Sequence, residues 1–155
     1  MINLFESKRL NRLSDKDLVF NTLDAKKNSK HGFFQQMTDI YIFALALGVK
    51  RKKRAKLSGP TSESIHVSYF NDEQKKFFDM IILYSEAGEL DSLDKSSEEV
   101  VAEMKKTIEE YANGGLEIIR DKIESHPENA FNIIKLLIDQ ELKSDLPEDI
   151  DDDLF

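Results

Sequence analysis

The stretch FFQQMTDIYIFALALGV, Phe33 to Val49, is the strongest apolar block in the chain. Phe33, Met37, Ile40, Tyr41, Ala44, Leu45 and either Leu47 or Gly48 approximate a 3.6-residue period, which predicts a helix. Ile42, Phe43 and Ala46 fill the other side, so the helix is expected to be buried nearly all round, at the centre of its domain. Gly48 either ends it or allows a close backbone approach. The chain then turns abruptly basic. Lys50, Arg51, Lys52, Lys53, Arg54 and Lys56 fall within seven positions, and LSGP closes the segment with a Gly-Pro turn.

Working outward, helical patterns flank this block. Ser14, with Asp17 in the capping-box position, predicts a first helix through Leu18, Val19, Phe20 and Leu23. Lys26, Lys27 and Lys30 follow at or beyond its C-terminus, where cations are favoured. SESIHVSYF is the one strand-like stretch, with Ile65, Val67 and Tyr69 alternating. It is expected to pair with INLF near the start or to lie extended across helices. Asn71 with Gln74 caps a helix whose core candidates are Phe77, Phe78, Ile81, Ile82 and Tyr84, with Gly88 as its stop. Ser96 with Glu99 caps another, carrying Val100, Val101, Met104, Ile108 and Tyr111 and ending at a left-handed Gly114. LEIIRDKIESH makes a short helix. Pro127 opens the next, with Phe131, Ile134, Leu137, Ile138 and Leu142. The expected fold is mainly α: one compact domain of five or six helices over residues 1–143, with at most a minor β-hairpin. An acidic tail, 144–155, is expected to be flexible. No internal repeat is seen.

A chain of 155 residues is long enough for one self-sufficient core. It has no cysteine, which excludes disulfides and thiol chemistry. No apolar run is long enough for a spanning helix, and the start lacks a secretory pattern, so a soluble cytoplasmic protein is expected. The formal charge of −8 hides an asymmetry. Residues 1–57 hold thirteen Lys/Arg and five Asp/Glu, whereas the rest hold nine and twenty-five. Such a split predicts two surfaces with different partners, or two surfaces that meet each other.

Little points to catalysis. His31, His66 and His126 fall in three separate connectors, without the helical spacing of a metal site. No nucleophile elbow, phosphate loop or dinucleotide fingerprint occurs. The pairs Glu98/Glu99 and Glu109/Glu110 read as a solvated helix face. Asp149, Asp151 and Asp153 alternate like the start of a calcium loop but lack its glycine and distal glutamate. No enzyme activity, cofactor or metal is therefore expected. The basic run Lys50–Lys56 is suited to DNA or RNA phosphates, with Arg9, Arg12, Lys26, Lys27 and Lys30 extending the footprint. No aromatic residue is interleaved, so a single-strand stacking platform is not indicated. The tip, with Asp151, Asp152, Asp153, Leu154 and Phe155, resembles the acidic tip of bacterial single-stranded DNA-binding proteins, with Leu154 where those have proline. It is suited to binding a protein partner or to folding back on the basic cluster.

Two segments carry a broader resemblance. YIFALALGVKRKKR (Tyr41–Arg54) and EEYANGGLEII (Glu109–Ile119) resemble small proteins associated with bacterial Dnd systems, which place sulfur in the DNA backbone or restrict DNA lacking that mark. The resemblance runs from about Leu18 to Leu137, and EYANGGL is its more specific part. It implies a non-enzymatic accessory factor in phage defence, beside modification or restriction proteins, with DNA or a DNA-protein complex as its environment. The alternatives are an adaptor whose basic cluster grips an acidic subunit, and a small dimeric transcriptional regulator. A homo-oligomer is left open.

Overall fold

The apolar block does form the central helix, over a shorter span than its periodicity predicts. The computed structural model describes residues 5–30, 32–84 and 97–142. The central helix, α2, covers Met37–Lys50. Its residues Ile40, Tyr41, Ala44, Leu45 and Leu47 are fully buried. Phe33 and Phe34 stay outside it. Both their backbone N–H groups donate to the carbonyl of Leu23, each at 2.9 Å, and Phe34 bridges Asp24. These bonds hold the two residues in an extended connector behind α1, Asp17–Leu23.

Ser14 opens a 3-10 turn, Ser14–Lys16, rather than capping α1 with its side chain. The strand prediction is corrected in both position and partner. β2 is Thr61–His66, and residues 67–69 curl into a 3-10 turn instead of extending. Its antiparallel partner is β1, Arg9–Leu13, with Leu10 opposite Ile65 and Leu13 opposite Thr61. The ladder is interrupted at Asn11. There the Asn11 N–H is taken by the carboxylate of Glu109, at 2.6 Å.

The capping box at Asn71 forms as predicted: Gln74 N–H donates to Asn71 Oδ1 at 2.8 Å, and Asn71 N–H to Gln74 Oε1 at 2.9 Å. It starts α3, Asp72–Tyr84, which buries Phe78, Ile81 and Ile82. The largest departure is α4, one helix of 27 residues, Ser97–Ile123. It was expected to break at Gly114. Glu98 and Glu99 in its first turn, and Arg120 and Lys122 in its last, match the helix dipole. Pro127 begins a 3-10 turn that leads into α5, Ala130–Leu137, which continues as a π-helical turn, Ile138–Leu142.

Gly114 and Gly115 stay helical because packing, not a turn, selects them. A Cβ on Gly115 would overlap the carbonyl oxygen of Ala44, and one on Gly48 would overlap that of Tyr111. Thus Ala44 and Gly48 of α2 lie against Tyr111 and Gly115 of α4, each pair four residues apart on one helix face. Of the two roles open to Gly48, the close approach is the one it fills. The expected mainly helical architecture holds, with five α-helices and one two-stranded sheet among the described residues. Gly88, Ser96, INL before Phe5 and the acidic segment 143–155 lie outside those residues.

Candidate functional site

The basic run begins as the end of α2. Lys52 N–H donates to Val49 O at 3.1 Å, and Lys53 N–H to Gly48 O at 2.8 Å. This is a Schellman closure, and Lys52 occupies its left-handed position with φ 53°. Glycine is the usual residue there, so the sequence gives no local cue for the stop. The helix therefore ends at Lys50, the first residue of the cluster, and after the closing turn the chain from Lys53 onward is non-helical.

That stretch of chain lies on α4, along the segment Glu110–Glu117. Ala55 N–H donates to Glu110 O at 3.0 Å. Asn113 Nδ2 donates to the carbonyls of Ala55 and Lys56, at 3.1 and 3.3 Å. A Cβ on Gly114 would overlap the carbonyl oxygen of Lys53. The Asn-Gly-Gly triplet is thus one device. Asn113 and Gly114 seat the backbone of the basic segment, and Gly115 seats α2.

Side chains add charge matching. Arg54 Nε and Nη2 both reach Glu110 Oε1, at 3.1 and 3.0 Å, and its guanidinium lies 5.2 Å from the centre of the Tyr111 ring. Lys53 Nζ lies 3.3 Å from Glu117, and Arg51 pairs with Glu141 beyond α5. The Arg51 hydrogen bond holds the Glu141 carboxyl below its ordinary range and raises Arg51. Glu110 is buried, so an unpaired charge there would be costly. The acidic half of the chain therefore meets the basic half inside the molecule, one of the two outcomes the charge split predicted.

The cluster consequently divides. Arg51, Lys53 and Arg54 are held by carboxylates. Lys52 and Lys56 are exposed, and no described carboxylate lies within ion-pair distance of either. Lys50 is half-buried on the last turn of α2. Three of the six cations are thus matched by Glu110, Glu117 and Glu141.

The other expected cations lie elsewhere. Lys26, Lys27 and Lys30 are exposed in the turns after α1. Lys26 shares a cleft with Gln36, Met37 and Thr38, at the opposite end of α2 from Lys50. A 14-residue helix is about 21 Å long, so the two groups form separate patches. Arg12 belongs to neither. It is buried, paired to Asp17, and stacked 4.0 Å over the Phe20 ring. Arg9 is tied to Ser64 through Nε and Nη2. His66 Nδ1 accepts from Ser68 N–H at 3.1 Å, and exposed His126 lies 3.3 Å from Glu128. His31, and Asp151, Asp152, Asp153, Leu154 and Phe155 of the tip, lie outside the described residues.

The sequence reading missed Glu109, Glu110, Asn113 and Glu117. The first two are buried, not solvated. Along α4, Glu109, Asn113 and Glu117 recur every four residues, a polar stripe inside an apolar pattern. Glu109 serves β1, Asn113 the basic segment, and Glu117 both Lys53 and the fully buried Lys16, whose Nζ is 3.8 Å away. That stripe was a readable signal.

The family model for DNA sulphur modification system-associated protein 4 matches residues 9–155. No curated protein and no solved structure matches. The two segments that carried the resemblance, Tyr41–Arg54 and Glu109–Ile119, are the two that pack on each other here.

Proposed function

The chain belongs to the DNA sulphur modification system-associated protein 4 family, and on that premise we propose that this accessory protein works without catalysis, by contacting the DNA backbone. Lys52 and Lys56, with Lys50 beside them, supply the contact. The observation that carries this reading is the rigid seating of the basic segment. Its backbone is bonded to α4 at Ala55 and Lys56, so two exposed ammonium groups are presented from a fixed frame. Phosphate contacts position a protein on DNA without reading sequence, which suits a component acting beside modification or restriction proteins.

The test is duplex binding by fluorescence anisotropy at several salt concentrations. Lys52→Gln with Lys56→Gln removes two cations and leaves every ion pair to α4 intact. It should weaken binding and lower the salt slope by about 2. Unchanged affinity would sink the reading. A second reading is favoured by the cluster's own chemistry, since the partners it already holds are carboxylates. On that reading it grips an acidic subunit of the same system. The parent protein would then ignore DNA and retain that subunit in pull-downs from its native host.

A further inference from the structure

Beside the basic cluster lies an apolar groove that the other described residues leave open. Val49 of α2 and Phe77, Met80, Ile81 and Leu83 of α3 line about 510 Å³. Met80 is 65% exposed and Leu83 78%, large values for apolar side chains next to the buried Ile81 and Ile82. We propose that the acidic segment 143–155 of the same chain docks in this groove, seating Leu154 and Phe155 there and laying its carboxylates along Lys50 and Lys52.

Position argues for this occupant first. The last described residues, Glu141 and Leu142, end at the basic cluster, because Glu141 is paired to Arg51. At about 100° per residue, Arg51 and Val49 leave α2 on roughly opposite flanks, with Ala46 and Lys50 between. A chain running from Glu141 to the groove must therefore cross Lys50. Thirteen residues follow Leu142. Extended they reach about 43 Å, and a helix is only about 10 Å wide, so the span is easily covered.

Chemistry argues second. Residues 145–153 carry six acids, Asp145, Glu148, Asp149, Asp151, Asp152 and Asp153, opposite in sign to the surface crossed. Leu154 and Phe155, which close the acidic run, supply the two large apolar side chains that the groove would take. A second copy of the chain fits worse. A two-fold contact through this groove would bring Lys50 and Lys52 of one copy towards the same residues of the other.

The docking stands independently of the DNA reading. Its consequence rests on that reading: a docked segment covers the cations offered to phosphate. The test therefore reads docking without DNA. These 155 residues include no cysteine, so Asp153→Cys gives a single nitroxide site in the intact chain. Methionine methyl resonances report the distance. Met80 lines the groove, and Met37, at the far end of α2, is the internal control. The label should broaden Met80 and spare Met37. Leu154→Ala with Phe155→Ala, or Leu83→Glu on the groove side, should restore the Met80 signal. An unbroadened Met80 would overturn the proposal. So would broadening that survives both variants, since charge alone would then hold the segment. A mixture of nitroxide-bearing chains and methyl-labelled chains tests the second copy: broadening of Met80 there would overturn docking within one chain.

Discussion

Gly114→Ala reverses the sign that local propensity gives. In an exposed helix interior, alanine stabilises by about 1 kcal/mol over glycine. At Gly114 the new methyl would meet the Lys53 carbonyl, a backbone atom that cannot swing aside. Two responses compete. Forcing the methyl into place costs about 1–3 kcal/mol, as overpacking does. Lifting the segment off α4 breaks the Ala55–Glu110 hydrogen bond and both Asn113 bonds, about 1 kcal/mol each, so about 3 kcal/mol. The second sets the ceiling. After the propensity gain, the net loss is about 2 kcal/mol. For a chain of this size that lowers Tm by about 4–8 °C. Thermal unfolding followed by circular dichroism measures it, and amide exchange at Ala55 should accelerate in the same variant. A Tm equal to or above the parent's would refute the claim that α4 seats the basic segment.

Other expectations follow from single positions. The Tyr41 hydroxyl is buried with no hydrogen-bond partner among the described residues, and burial, then Glu109, pushes its pKa well above 10.0. Tyr41→Phe should leave stability equal or raise it by about 1 kcal/mol in urea unfolding; a clear loss would reveal a partner for that hydroxyl. Lys52→Gly should gain up to about 1 kcal/mol by relieving the left-handed backbone, partly offset by a more flexible unfolded chain. Glu141 has its folded pKa below the ordinary 4.5, through the Arg51 hydrogen bond first. Its stabilising effect is therefore full above that ordinary value and is lost as pH falls through the depressed one. Glu141→Gln should trail the parent at neutral pH and converge with it in acid, and a constant gap across pH would contradict the pairing.

The helices with unbroken periodicity or a capping pair were legible. α2 is recognisable from its apolar block, and α3 from Asn71 and Gln74. Gly114 misled because glycine has two uses, a left-handed turn or a close approach, and sequence spacing does not separate them. Only the partner elements, α2 and the basic segment, decide it. The strand shifted for a similar reason. Its partner, β1 at Arg9–Leu13, pairs across 48–57 residues of chain, a pairing no local pattern encodes. The candidate site was half legible. Lys50–Lys56 stands out as a charge run, but Glu110, Glu117 and Glu141, which neutralise half of it, lie 56–90 residues further along the chain. The two segments of the family resemblance already contained most of that contact.

The salt dependence of duplex binding tests the central claim most directly. With Arg51, Lys53 and Arg54 held by carboxylates, the cluster offers the two exposed cations Lys52 and Lys56, which give a slope of log K against log salt of about −1.8. Six free cations would give about −5.4. A slope near −1.8 that is lost in the Lys52→Gln/Lys56→Gln protein is the predicted result. A parent slope near zero, or one near −5.4, would contradict the account.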